Sequence, residues 1–213
     1  MSTPVARTRT RKSPQQRSAE IGDAALAVAR EQGLSALTLR AVAARAGVAP
    51  GLVAHYVENM DELVVRTFRE LVAGELDEIR AEVARASSPP ARVARMIETV
   101  LDSGHNDITL IWVDAWSLGR GSAALAEAIE EQMAAWQSFI AGLIEAGREA
   151  GLFTTVDALA VGWQILAMID GIAAHALTRR TDATAFAERL AQACETLVGA
   201  APGTIVAALT PRT

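Results

Sequence analysis

All four tryptophans of this 213-residue chain lie in its second half, where they are the side chains best suited to recognise a small molecule. Trp112 and Trp116 stand four residues apart, and Trp136 and Phe139 three apart, spacings that put each pair on one helix face. Met133 precedes Trp136 by three residues, and Trp163 lies further on. Asp114 and Asp170 are carboxylates set in otherwise apolar sequence, with His175 close after Asp170. An apolar cleft with a few polar groups is the usual form of a ligand site. Tryptophan faces can take flat hydrophobic molecules, and they also attract organic cations by about 0.5–2 kcal/mol each, to which a carboxylate would add counter-charge. The same residues also admit a plainer reading, as core aromatics with caps and solvated acids.

A different chemistry is written into the first quarter. Residues 1–60 hold 8 Lys/Arg and 4 Asp/Glu, a local +4, while residues 61–213 hold 12 and 21, a local −9, in a chain of net charge −5. Arg7, Arg9, Arg11 and Lys12 form a basic arm without an acid, suited to phosphate contacts. The segment "TLRAVAARAGVAPGLVAHYV", residues 38–57, follows. Two short helices crossing steeply need a small residue at the approach and one tolerant of positive φ at the turn. Ala43 and, four later, Gly47 supply them. Thr38 can cap the first helix, and Pro50 suits the first turn of the second. This is the spacing of a helix-turn-helix, whose second helix enters the major groove.

Catalysis finds no support in the residue patterns. His55, His105 and His175 are too far apart for a helical metal pair, and "GRGS" at 119–122 is no nucleophile elbow. No glycine loop could cradle a phosphate, and no cofactor or metal is expected. Cys194, alone in an apolar stretch, reads as a small core residue.

The elements that must position these groups are helical. Aromatics make up only 4% against 51% apolar residues, so the core is built of Ala, Leu, Val and Ile, which favours close-packed helices over β-sandwiches. Helices are predicted over 14–32, 38–45 and 50–56. A long one runs from Asn59 to Arg85, where "SSPP" stops it. Further stretches are predicted at about 90–103, 107–118, 122–149, 156–178 and 183–199. The apolar run from Ala158 to Ile169 is shorter than the roughly 20 residues a bilayer requires, and no apolar signal segment follows the basic start. The expectation is an all-α, cytoplasmic chain with no membrane partner.

With these residues in place, "EQGLSALTLRAVAARAGVAPGLVAHYVENMDEL" resembles the DNA-binding domain of the TetR family of repressors, over about residues 18–70. "APGLVAHY" is most similar to the choline-responsive BetI branch, and residues 108–178 resemble that branch's C-terminal domain more loosely. The resemblance implies a three-helix DNA-binding domain, a long connecting helix and a helical body that binds an effector and dimerises. It divides the chain into a basic arm (1–13), a DNA-binding domain (14–58), a connecting helix (59–85) and a body (86–213).

The resemblance places Ala49, Pro50, Gly51, Val53, Ala54, His55 and Tyr56 on or near the DNA-facing side, with Thr38 and Arg40 from the helix before. Three positions depart from the family pattern: Ala49 where a capping Ser or Thr is usual, Val57 for Phe, and Met60 for a phosphate-binding Lys. The expected function is a repressor that leaves a palindromic operator in double-stranded DNA when a small molecule binds. The expected assembly is a homodimer built through the helices near 156–178 and 183–199. Two other readings stay open: a non-specific architectural DNA protein, and a helical protein-interaction module that binds no DNA.

Overall fold

The computed structural model describes residues 13–210, and every regular element among them is helical. α1 (Pro14–Gln32) opens with a reciprocal cap. The Ser13 hydroxyl accepts from Gln16 N–H at 3.2 Å, and Ser13 N–H donates to Gln16 Oε1 at 2.9 Å. Its Ile21, Ala25, Val28 and Ala29 are buried, the stripe their spacing predicts.

α2 (Leu39–Ala46) is capped by Thr38, whose hydroxyl accepts from Ala41 N–H at 3.1 Å. It ends at Gly47, where a φ of 65° lies in the left-handed region that glycine enters without strain. Val48 N–H then returns to the Ala43 carbonyl at 3.0 Å, closing the turn into α3 (Pro50–Tyr56). The helix-turn-helix stands where the segment 38–57 predicts it.

α4 (Met60–Ala84) runs 25 residues, its first turn held by Asn59 Oδ1 accepting from Asp61 N–H at 2.8 Å. It packs against α1 at one end and against the later helices at the other. These are α5 (Pro89–Val100), α6 (Asn106–Gly119), α7 (Ala123–Glu149), α8 (Ala158–Arg179) and α9 (Ala187–Val198). One contiguous apolar core extends from Ile21 to Ile205.

Three expectations need correction. The helix predicted over 183–199 is divided, with a 3-10 turn at Ala183–Phe186 before α9 begins. No element is expected beyond 199. There the chain folds back on Glu195, whose buried carboxylate accepts the N–H groups of Gly203 (2.9 Å), Ile205 (2.7 Å) and Val206 (2.9 Å). Finally, α8 spans 22 residues at a mean hydropathy of 1.4 over its most apolar 18-residue window, so by length and composition it could cross a membrane. The Ala158–Ile169 run understates it because Asp170 interrupts the sequence without interrupting the helix. Only 28% of that window is buried within this chain.

Candidate functional site

The outer surface of the helix-turn-helix carries most of the residues proposed to meet DNA. Thr38, Arg40, Ala49, Pro50, Gly51, Ala54 and His55 are exposed. Arg9, Arg11 and Lys12 lie outside the described residues. Val53 is a correction: it is fully buried, pointing into the three-helix core, and cannot reach a base from there. Tyr56 is half-buried against that core, its ring meeting His55 edge-on at 5.2 Å. Ala49 supplies no side-chain cap, as its methyl group dictates. A Cβ added at Gly51 would meet nothing within 4 Å, so neither space nor backbone conformation in this chain demands glycine there.

The body holds a small, partly open cavity of about 40 Å³. Trp112, Trp116, Met133, Trp136 and Asp170 all line it. Trp112 and Trp116 lie 5.8 Å apart on α6, and Trp112 meets the fully buried Phe68 of α4 edge-on at 5.2 Å. The Nε1 of Trp136 is buried without a hydrogen-bond partner, the only such side-chain atom among the described residues. An N–H left in that state is costly, and a ligand oxygen would relieve it.

Four expected lining residues are elsewhere. Phe139 lies outside the cavity, half-buried under the guanidinium of Arg80 at 5.8 Å. Trp163 is 56% exposed on α8, on a face that none of the described residues covers. His175 is exposed near the end of the same helix. Asp114 is turned the other way, because two residues along a helix is more than half a turn from Trp112. Its Oδ2 accepts the N–H of Ser35 at 2.9 Å, in the 3-10 turn Leu34–Ala36 that joins α1 to α2. Gly33 makes room for that contact: at φ 88°, a Cβ there would overlap the Asp114 carboxylate.

Glu75 of α4 is the charged lining residue that sequence reasoning missed. It sits in "GELDE" among two other acids, yet it is buried and bonded to His105 Nδ1 at 3.1 Å. Burial pushes its carboxyl above the usual value, with the His105 hydrogen bond and charge opposing the rise and Asp107 and Glu78 adding to it. The hydrogen bond to Glu75 in turn raises the His105 imidazole, against its own burial. Asp170 is pushed up to about 7, by burial first and then by the charge of Glu75. The cavity thus combines three indoles with two carboxylates, and no basic side chain lines it.

Cys194 is fully buried, and its thiol is pushed up to about 12 by burial and by the adjacent Glu195, so it stays protonated and unreactive. Among the described residues no group of three His, Cys, Asp or Glu could hold a metal ion.

Residues 21–67 match the bacterial regulatory proteins of the tetR family, and residues 89–201 match the C-terminal domain of BetI-type transcriptional repressors. The HTH-type transcriptional regulator BetI of Rhizobium meliloti (strain 1021) is 29% identical over 150 residues, 70% of this chain and 72% of that protein. The regulator of the same name in Brucella anthropi is 32% identical over 78 residues, 37% of this chain and 40% of its own length.

Among solved structures, a transcriptional regulator from Saccharomonospora viridis in complex with choline aligns at TM-score 0.74. It is 19% identical, and the alignment covers 83% of this chain and 94% of that one. The FadR regulator of Bacillus subtilis in complex with stearoyl-CoA aligns at TM-score 0.68 and 20% identity, over 84% and 97% of the two chains. Those structures share the fold; the C-terminal match spans more than half of this sequence. The chain belongs to the TetR family of transcriptional regulators, with a BetI-type C-terminal domain.

Proposed function

We propose that this regulator is a homodimeric repressor that leaves a palindromic operator when an organic cation enters the tryptophan cavity. The observation that carries the reading is the double attachment of α6. One face puts Trp112 and Trp116 into the cavity, and the other ties Asp114 to Ser35 beside the helix-turn-helix. Arg30 of α1 adds a second link, 3.6 Å from Asp107 at the start of α6. A ligand that enlarges the cavity must move its walls. Movement of α6 would alter the setting of the DNA-binding unit, taken as residues 14–58, through α4 and these contacts. Binding releases DNA only in so far as the ligand favours the shifted conformation over the DNA-bound one.

The cavity's charge supports a cation. An anionic acyl thioester would meet Glu75 and Asp170 with no basic lining residue to pair it, whereas a cation gains both the carboxylates and the indole faces. A hydroxyl or carbonyl oxygen on the ligand would accept from Trp136 Nε1. Choline, held by the Saccharomonospora regulator, combines a quaternary ammonium with a hydroxyl.

On the DNA side, Arg40, Pro50, Gly51, Ala54 and His55 form the reading surface, with Thr38 and Tyr56 at its edges. Arg9, Arg11 and Lys12 add phosphate contacts. α3 has no Arg, Asn or Gln, so specificity rests on thymine methyl groups, close backbone approach at Gly51, and His55 and Arg40. The dimer would form through α8 and the start of α9, where Val156, Leu159, Trp163 and Phe186 are exposed. A DNA-reading role places the protein in the cytoplasm.

The test is retention of DNA from the chain's own gene neighbourhood. A repressor holds a palindromic fragment over random competitor by roughly 10³-fold or more and releases it when choline is added. Binding without sequence preference would identify an architectural protein, and no DNA binding would identify an interaction module.

A further inference from the structure

Two hollows meet at one ion pair. Glu75 lines the tryptophan cavity, while His105, 3.1 Å away, lines a separate surface groove of about 850 Å³. Glu82, Glu98, Asp102 and Glu188 face that groove against Arg95, so its lining is acidic. The paired side chains of His105 and Glu75 are only 20% and 10% exposed.

The inner cavity, at about 40 Å³, has room for a few water molecules and none for an organic cation. Entry must therefore displace a wall. Most of the lining belongs to α4, α6, α7 and α8, packed into the core. His105 does not itself line the cavity but is bonded to Glu75 behind it, and it belongs to the single 3-10 turn Ser103–His105, between α5 and α6.

We infer that His105 is the gate of the effector cavity: an organic cation gathered in the acidic groove displaces its imidazole from Glu75 and takes its place against that carboxylate. The inference rests on the cation reading above. It also shows how entry reaches the DNA-binding unit, because His105 immediately precedes α6 and its displacement acts on the helix that carries Trp112, Trp116 and Asp114.

A gate held by an imidazolium must respond to pH. Glu75 is faced by His105 from the 3-10 turn, by Asp107 of α6 and by Glu78 of its own helix, and it acts in turn on Asp170 of α8. His105 is faced by Glu75, Asp102 and Asp107, all acids that favour its charged form. Below its raised pKa the imidazolium competes with the cation for Glu75. Above it the imidazole is neutral and the carboxylate is released to the ligand. Cation affinity therefore rises with pH, by up to about tenfold per unit for each proton released. Ionisation of Asp170 near pH 7 adds to the same trend.

The experiment is titration of the full chain with choline and with tetramethylammonium between about pH 6 and pH 8, read by tryptophan fluorescence. His105→Gln should bind both cations more tightly than the unaltered protein at the lower pH and keep only the part of the pH dependence that Asp170 supplies. In an Asp170→Asn background His105→Gln should leave a nearly flat profile. His105→Arg, a gate that keeps its charge, should weaken binding at every pH by roughly tenfold or more, with operator binding in the absence of cation confirming that the variant folds. Cation binding whose pH profile is the same with and without His105 overturns the gate and leaves the cation reading standing. Failure of both cations to bind the unaltered protein and His105→Gln alike overturns the two together.

Discussion

Asp114 accepts the backbone N–H of Ser35 at 2.9 Å across 79 positions of sequence, joining the helix that carries two cavity tryptophans to the turn that precedes the helix-turn-helix. Among the described residues, the half-buried carboxylate is the only acceptor that meets that N–H. It lies over Gly33, where any side chain would displace it. Asp114→Ala should cost about 1–2 kcal/mol of folding stability, read as a lowered Tm. Its larger effect should be on coupling. Choline should bind with near-unchanged affinity, while the loss of operator affinity on adding choline shrinks by several-fold. An unaltered operator response in a correctly folded Asp114→Ala protein would show that the signal travels through α4 alone.

Gly51 separates folding from reading. Because its Cβ direction is open, Gly51→Leu should leave the Tm within a few degrees of the starting value. Binding to the specific operator fragment should be abolished in a mobility-shift assay, while the weaker, salt-sensitive binding to random DNA persists. Normal operator binding by this variant would mean that α3 is not the recognition helix.

Trp163 tests the assembly. Its indole is 56% exposed on a helix whose neighbouring surface shows Leu159 at 56% and Val156 at 88%. An apolar strip of this kind on one edge marks an interface. Trp163→Glu should convert a dimer to a monomer at micromolar concentration, measured by sedimentation or light scattering, and operator affinity should fall with it. A starting protein that is already monomeric yet binds a palindrome tightly contradicts the two-fold model of recognition.

Glu195 should set part of the acid sensitivity. Burial disfavours its charge, but the three backbone N–H groups it accepts outweigh that and hold its carboxyl below the usual value. A depressed folded-state pKa gives stability that is fully present above the unfolded pKa, about 4.5, and lost as pH falls through the folded one. Glu195→Gln, which keeps one acceptor oxygen and the shape, should remove that acid-side dependence and cost about 2–4 kcal/mol near neutral pH. Denaturant melts at several pH values would read both effects.

The helix-turn-helix was legible because its determinants are local: Thr38, Gly47 and Pro50 act within one or two turns of where they stand. Val53 has two readings in the sequence, as one of the apolar side chains that lock the two short helices and, by the family resemblance, as a DNA-facing residue; its burial supports the first. In the body, the 3–4 spacing correctly placed Trp112 with Trp116 and Met133 with Trp136. The grouping of Asp114 with them overlooks that residues two apart on a helix do not share a face. Glu75 and His105 were not legible, because 30 residues separate them and each looks solvated in its own segment. His175 is grouped with Asp170 by proximity in sequence and Trp163 with the other tryptophans by type, and the packing of α8 against α6 and α7 leaves both outside the cavity.

Asp170 brings stability and ligand chemistry into opposition. Its carboxyl is pushed up from 3.8 to about 7 by burial and by Glu75, so the folded chain holds its proton where the unfolded chain has released it. A raised carboxylate pKa favours folding at low pH, and that contribution is lost progressively as pH rises from about 4 to about 7. Asp170→Asn keeps the neutral shape at every pH. It should leave stability nearly unchanged near pH 4 and raise it by about 1–3 kcal/mol at pH 8. The same substitution should weaken choline binding by roughly tenfold or more at pH 8, where the carboxylate is ionised, and by much less at pH 6. Paired thermal melts and fluorescence titrations at the two pH values would test both halves. A variant more stable at pH 8 but unchanged in cation affinity would remove Asp170 from the effector site and leave Glu75 as its only counter-charge.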